Sequence, residues 1–219
     1  MLKKQKAQNG KVWHLILVRH GESVWNAKGL WTGWQDVSLT EKGKEEARLA
    51  ARTLVDIKID IAAISDLKRA HETWEVIKET LNLYNIPTLR HHAYKERHYG
   101  IFTGKSKREI KKQVGEEKFK KIRRGWDEPI PQGETLKDVY NRTIPHLRRH
   151  ILPHVYQGKN VIIVAHGNTH RAIIKHLENI SDREITEIEM VTGEVLVYKL
   201  DSQGKILKKE RKGVSQATK

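Results

Sequence analysis

Two histidine–glycine pairs, His20-Gly21 and His166-Gly167, each follow an apolar stretch with the pattern of a buried strand. In an open α/β sheet, ligands bind outside the carboxyl ends of the strands. Glycine lets the backbone turn sharply there, and a following helix directs its N-terminal amides at the same place. A single histidine in this context is usually a hydrogen-bonded strand-end residue, but the matched pair together with Arg19 predicts an anion site suited to phosphate.

The elements that must position these residues alternate between strands and helices. Apolar runs predict strands over residues 12–18, 59–64, 88–93, 160–165 and 195–200. Helical spacing of apolar residues follows Thr40, Ala70, Leu136 and His166, and the basic stretch 105–124 predicts one or two short helices broken near Gly115. We therefore expect one α/β domain with a mostly parallel sheet flanked by helices on both faces.

The domain is expected to span residues 12–207. A basic N-terminal extension, residues 1–11, precedes it, and a basic tail, residues 208–219, is predicted to be disordered. The extension has no apolar stretch and no run along the chain could cross a membrane, so a cytoplasmic protein without membrane association is expected.

Composition excludes several kinds of site. The 219 residues include no cysteine, which excludes disulfides, thiolate metal ligands and a cysteine nucleophile. The formal net charge of +15 favours polyanions or small acidic metabolites as ligands. The basic residues are spread along the chain without a nucleic-acid-binding motif, so nucleic acid is not the expected partner. A polyanion-binding protein on this scaffold remains the alternative that the charge alone supports.

Several motifs resemble one known family, in order and over roughly residues 12–200. They are Leu17-Val-Arg-His-Gly-Glu-Ser-Val-Trp-Asn26, Thr32-Gly33-Trp34, Leu67-Lys-Arg-Ala70, Glu96-Arg-His-Tyr-Gly100, Arg123-Arg124, Gly133-Glu134 and Ala165-His-Gly-Asn168. The first motif resembles the signature of the histidine phosphatase superfamily. The combination with Glu96-Arg-His-Tyr-Gly100 and the double arginine resembles its cofactor-dependent phosphoglycerate mutase branch.

This resemblance implies a reaction through a phosphohistidine. His20 would be the nucleophile, and a neutral imidazole can form such a covalent intermediate. Arg19 beside it should lower the pKa of His20. Arg19, Arg69 and His166 would supply positive charge to the phosphoryl group, and Glu96 would be the acid or base, with a pKa raised by burial. From the residues alone, a salt bridge of Glu96 to Arg97 or to a nearby lysine is the more ordinary interpretation.

The resemblance also implies that the rest of the site binds the substrate. The implied residues are Ser23, Asn26, Thr32, Gly33, Tyr99, Lys107, Arg123, Arg124, Gly167 and Asn168. The implied activity is interconversion of 3- and 2-phosphoglycerate, primed by 2,3-bisphosphoglycerate and without a metal. Homodimers and homotetramers are both common in this branch. The alternative on the same scaffold is a phosphatase that acts on a small phosphorylated metabolite.

Two further patterns are not expected to form sites. The segment Gly100–Ser106 resembles a P-loop but has one residue too few between its glycines. His166 and His170 have the i, i+4 spacing of a helical metal pair, but no third ligand is evident. The sequence departs from the family pattern at Lys95, Lys105-Ser106 and His170, which could alter specificity.

Overall fold

The computed structural model describes residues 12–213, and six strands form one sheet. The strands are β1 (Trp13–Arg19), β2 (Ile61–Ile64), β3 (Thr88–Arg90), β4 (Val161–Ala165), β5 (Glu194–Leu200) and β6 (Ile206–Gly213). Their order is β3-β2-β4-β1-β5-β6, with β3, β2, β4 and β1 parallel and β5 antiparallel to both of its neighbours. The mostly parallel sheet is therefore confirmed.

Eight α-helices connect and cover these strands within the described residues. They are α1 (Val24–Ala27), α2 (Glu41–Arg52), α3 (Lys68–Leu81), α4 (Lys107–Val114), α5 (Glu116–Arg124), α6 (Leu136–His150), α7 (Leu152–Tyr156) and α8 (Gly167–Glu178). Thr40 caps α2, since its hydroxyl accepts the Gly43 N–H at 3.0 Å. Gly115, with φ of +81°, separates α4 from α5, so the basic stretch forms two helices. Between residues 12 and 213, no helix combines the length and the apolar character that crossing a membrane requires.

The helices lie on both faces of the sheet because β1 is apolar on both. Leu15 and Leu17 pack into one core with residues of α6, α7 and α8. Ile16 and Val18 pack into a second core with residues of α2 and α3. A continuous apolar strand is typical of a parallel sheet that is covered on both sides, and the predicted architecture is confirmed.

The prediction of a disordered tail from residue 208 is wrong for residues 208–213. These residues belong to β6, which is antiparallel to β5, with Glu194 opposite Gly213 at one end and Leu200 opposite Ile206 at the other. The strand lies at the edge of the sheet, where its lysines reach solvent and pair with acidic neighbours, as Lys209 does with Glu178 at 2.7 Å. Its many charges thus fit an edge strand as well as a tail. The predicted extension 1–11 and residues 214–219 lie outside the described residues.

Candidate active site

The site is built on the hydrogen-bonded ends of β1 and β4. Arg19 is in register with Ala165, and the ladder continues through the His20 N–H, which donates to the Ala165 carbonyl at 3.0 Å. The residues that follow each strand therefore emerge side by side. The rings of His20 and His166 lie with their centroids 4.9 Å apart, so the structure brings the two predicted histidines together.

The His20 ring is oriented by its own backbone. Its Nδ1 lies 2.7 Å from the Gly21 carbonyl oxygen, which can only accept, so the ring hydrogen is on Nδ1 and the lone pair is on Nε2. Burial, then the charges of Arg69 and Arg19, holds the pKa of His20 well below its ordinary value. The ring is therefore neutral at pH 7, and the Nε2 lone pair accepts a 3.3 Å hydrogen bond from Arg69 Nε, which it must give up to attack phosphorus.

Two arginines provide fixed positive charge around Nε2. Arg69 is buried and donates to the backbone carbonyls of Gly33 (2.8 Å) and Gln35 (2.9 Å). Burial lowers the pKa of Arg69 to about 10, which still leaves it charged at neutral pH. Arg19 donates to the Met190 carbonyl at 2.6 Å, while its buried Nε has no hydrogen-bond partner among residues 12–213. That orphaned donor lies where an anion would be bound.

His166 differs from the prediction in its charge. Burial, followed by the charges of Arg69 and His20, holds the pKa of His166 well below 6.5, so it cannot contribute a positive charge at neutral pH. Its ring is fully buried behind His20, and its Nε2 lies 2.8 Å from the hydroxyl of Ser65. Nδ1 of His166 has no partner in the described part of the chain, so the ring can act as a neutral hydrogen-bond donor or acceptor.

Glu96 lies in a hydrogen-bonded cluster with Asn168 and Tyr99. Its Oε1 accepts the backbone N–H of Arg97 at 2.7 Å and the Asn168 side-chain amide at 2.9 Å, and the same amide donates to the Tyr99 hydroxyl at 2.9 Å. The ordinary alternative, a salt bridge, is not formed with any described residue. Burial raises the pKa of Glu96, but these hydrogen bonds and the charges of Arg19 and Arg69 outweigh it, so the net shift is downward. The expectation of a raised pKa is therefore wrong for the structure as it stands, and Glu96 is an ionised base.

A second group of cations lies in the same cavity. Lys107, at the start of α4, and Arg123 and Arg124, at the end of α5, line it. Burial and the charges of Arg123 and Arg19 lower the pKa of Lys107 to about 8. One carboxylate, that of Glu189, forms ion pairs with Arg124 and, at 3.6 Å, with Arg123. Helices α4 and α5 thus bring three basic residues to the cavity that His20 lines.

The cavity opens to solvent. The predicted residues that line it are Arg19, His20, Asn26, Thr32, Gly33, Arg69, Glu96, Tyr99, Lys107, Arg123, Arg124, Gly167 and Asn168. Two predicted residues do not line it: the ring of His166 is fully buried, and the buried hydroxyl of Ser23 caps α1 and donates to Asn26 Oδ1 at 2.9 Å. The buried hydroxyl of Thr32 has no partner among the described residues, so it is a second orphaned polar group in the cavity.

Four lining residues were not among the predicted site residues: Trp31, Arg171, Glu189 and Met190. Trp31 is next to the quoted Thr32-Gly33 motif, and Arg171 lies one turn of α8 after Asn168 and donates to its Oδ1 at 2.9 Å. Proximity to a motif could have indicated these two. Glu189 and Met190 lie in an irregular segment before β5, and no sequence pattern indicates them.

His170 has a structural contact. Its Nε2 lies 2.9 Å from the Val18 carbonyl oxygen, so the ring hydrogen is on Nε2 and supports the end of β1. Within residues 12–213 no cluster of three or more histidine or acidic side chains has the arrangement of a metal site.

The family model of the histidine phosphatase superfamily (branch 1) matches residues 15–212. The chain belongs to the histidine phosphatase superfamily. A 2,3-bisphosphoglycerate-dependent phosphoglycerate mutase of Parvibaculum lavamentivorans is 40% identical over 198 residues, which is 90% of this chain and 94% of that protein. A phosphoglycerate mutase of Schizosaccharomyces pombe is 41% identical with the same coverage. The resemblance of this superfamily member to the mutase branch is confirmed.

Solved structures of the superfamily share the fold. Bacillus stearothermophilus YhfR is 27% identical, with a TM-score of 0.76 over 88% of this chain and 93% of that chain. A mycobacterial glucosyl-3-phosphoglycerate phosphatase has a TM-score of 0.74 at 21% identity, over 91% of this chain and 97% of that chain. At that identity the second likeness concerns the fold alone.

Proposed function

We propose that this histidine phosphatase superfamily member interconverts 3-phosphoglycerate and 2-phosphoglycerate, as glycolysis and gluconeogenesis require, through a phosphohistidine at His20. The observation that carries the proposal is one cavity that is lined by two groups of cations. Arg69 contacts the nucleophile and Arg19 precedes it, while Arg123 and Arg124 come from the end of α5. A phosphoglycerate has two acidic groups, so it can interact with both groups of cations. The similarity to curated phosphoglycerate mutases supports the same substrate.

The transfer needs few chemical groups. Nε2 of His20 attacks phosphorus, so that a P–N bond forms while the bond from phosphorus to the leaving oxygen breaks, and the reverse step returns the phosphoryl group to a hydroxyl. The ionised Glu96 accepts the proton of that hydroxyl in the return step. A phosphoryl dianion between Arg19 and Arg69 offsets the charges that hold the pKa of Glu96 down. Binding therefore raises that pKa and prepares Glu96 to protonate the leaving oxygen.

The residues present also fit the proposed primer. The orphaned Arg19 Nε and Thr32 hydroxyl, together with the two groups of cations, match an acid with more than one anionic group. Arg19 and Arg69 would hold one anionic group, and Lys107, Arg123 and Arg124 would hold another. When bound, 2,3-bisphosphoglycerate would supply the phosphoryl group that loads His20.

A coupled assay for 2-phosphoglycerate tests the proposal, with 3-phosphoglycerate as substrate and with and without 2,3-bisphosphoglycerate. We expect isomer formation that the bisphosphate stimulates. Release of inorganic phosphate without isomer would instead identify a phosphatase. His20→Ala should abolish labelling by the bisphosphate, whereas the exposed His92→Ala should retain it. Acid-labile phosphate on the His20 variant would show that the nucleophile is another residue.

A further inference from the structure

Glu189 places a second carboxylate, besides that of Glu96, in a cavity that is lined mainly by cations. It lies between the 3-10 helix Glu184–Glu187 and β5, and it lines the same cavity as His20. Its carboxylate pairs with Arg124 and is 3.6 Å from Arg123. No other carboxylate between residues 12 and 213 lies within ion-pair distance of either guanidinium. The carboxylate therefore holds the position that an acidic group of a ligand would need.

The backbone at Glu189 and at the next residue is held by two hydrogen bonds. The Glu189 carbonyl accepts from Arg211 at 3.1 Å, and the carbonyl of the next residue, Met190, accepts from Arg19 at 2.6 Å. The side chain itself is 44% exposed. Rotation about its side-chain bonds can thus remove the carboxylate from the arginines while the backbone stays in place.

The cations that Glu189 faces are crowded. Arg123 has its pKa lowered by burial and by the charge of Arg124, and Lys107 by burial and by Arg123. Because these groups repel one another in a partly buried place, a nearby carboxylate lowers the free energy of the folded protein. A ligand must offer a stronger interaction than the one that it replaces.

We propose that Glu189 is a displaceable counter-anion of the Arg123–Arg124 pair, which weakens ligand binding and sets its selectivity. The identity of the ligand rests on the proposed function. An incoming carboxylate exchanges one negative charge for another at the arginine pair, whereas a phosphate dianion brings a second charge and further acceptor oxygens. Glu189 therefore selects ligands that bring the higher charge to this pair and acts against monoanions.

Glu187 provides a matched control. It is on the same segment, two residues away, and its carboxylate pairs with Lys120 at 3.6 Å outside the cavity of His20. Glu187→Gln makes the same change in net charge as Glu189→Gln without altering the arginine pair. A general effect of charge on anion binding would appear in both variants, but displacement of a local carboxylate would appear in only one.

Calorimetry in a His20→Ala background tests the proposal without turnover, using 3-phosphoglycerate and inorganic phosphate as probes. Adding Glu189→Gln should tighten binding of 3-phosphoglycerate about tenfold, and adding Glu187→Gln should change it less than twofold. Thermal melts verify that each variant is folded. Equal dissociation constants for both probes with and without Glu189→Gln would overturn the proposal, and so would weaker binding, since Glu189 would then be a ligand contact.

The same titrations separate this inference from the proposed function. If 3-phosphoglycerate binds to neither variant but phosphate binds more tightly after Glu189→Gln, the counter-anion role stands and the substrate assignment fails. If 3-phosphoglycerate tightens while phosphate is unchanged, phosphate binds only beside His20, and both proposals stand.

Discussion

The imidazole rings of His20 and His166 meet edge to face, with their planes 61° apart. Ser65 Oγ lies 2.8 Å from His166 Nε2, and Nδ1 of His166 has no partner among residues 12–213. When the Ser65 hydroxyl donates to Nε2, the ring hydrogen of His166 is on Nδ1 and can donate to a phosphoryl group on His20.

His166→Gln should therefore lower kcat by about 10²–10³-fold, the usual loss for one aligned donor to a transition state. Ser65→Ala should cost less, about tenfold, because it removes only the group that orients the ring. Steady-state kinetics on folded variants measure both effects. Wild-type kcat in His166→Gln would contradict a role for the ring in the transfer.

Glu96→Gln should lower kcat by about 10²–10⁴-fold while the dissociation constant for 3-phosphoglycerate stays within about threefold. Glutamine keeps an oxygen for the Arg97 N–H and the Asn168 amide but cannot accept the proton of a hydroxyl. Rapid-quench kinetics and calorimetry give the two quantities separately. Equal losses in transfer and in binding would argue against proton transfer by Glu96.

Lys107 should make kcat/KM depend on pH above neutrality. Its pKa of about 8 means that the charge is present below pH 8 and is lost as pH rises through that value, so kcat/KM should fall there. Lys107→Arg should move this fall to higher pH, because a guanidinium keeps its charge. Lys112→Arg, an exposed change on the same helix, is the control. An unchanged profile in Lys107→Arg would show that another group titrates.

Arg142 on α6 positions the segment that carries Glu96. Its guanidinium donates to three carbonyls at 2.9–3.0 Å, those of Ala93, Lys95 and Glu96. It is also paired with both oxygens of Glu134, at 2.8 and 3.0 Å. Lysine cannot make this planar set of contacts.

Arg142→Lys should therefore lower kcat about tenfold and change KM less than threefold, because a small displacement of a catalytic group slows the reaction more than it weakens binding. Arg142→Gln should lose more, and exposed Arg149→Lys should be neutral. A loss of melting temperature with normal kcat in the folded fraction would mean that Arg142 only stabilises the fold.

His170 should make the protein sensitive to acid. Burial lowers the pKa of His170 to about 4 in the folded chain, while the unfolded chain takes up a proton near pH 6.5. Stability from this residue is present above pH 6.5 and is lost as pH falls from 6.5 towards 4. Between pH 7.5 and 5.0, wild type should lose about 2 kcal/mol more than His170→Gln, whose amide can still donate to Val18. Urea unfolding at the two pH values checks this, and equal losses would contradict it.

The local apolar pattern was sufficient to predict the strands that precede His20 and His166. The runs before His20 and His166 are almost entirely apolar, so they could be predicted to be buried strands of a mostly parallel sheet. The strand β6 could not, because its charged residues pair through their backbone with β5 and form edge ion pairs that only the assembled sheet provides.

The charge states of the site residues were harder to predict from the sequence than the identities of those residues. Whether the pKa of Glu96 is raised or lowered depends on the hydrogen bonds from the Arg97 N–H and the Asn168 amide. The Asn168 amide comes close to Glu96 only in the folded chain. His166 is neutral because burial lowers its pKa, so it does not carry the positive charge that was expected. Glu189 follows no motif, and only the approach of its segment to the end of α5 reveals its place.

The in-register pairing of β1 with β4 has a consequence for how this enzyme acquires its activity. Because side chains alternate across a sheet, a slip of one residue between the two strands would turn the apolar set of one strand to the opposite layer and separate the two imidazoles. Conformers with this misaligned pairing are therefore expected to be inactive. Recovery of turnover after dilution from denaturant will report correct strand alignment, and not merely collapse of the chain.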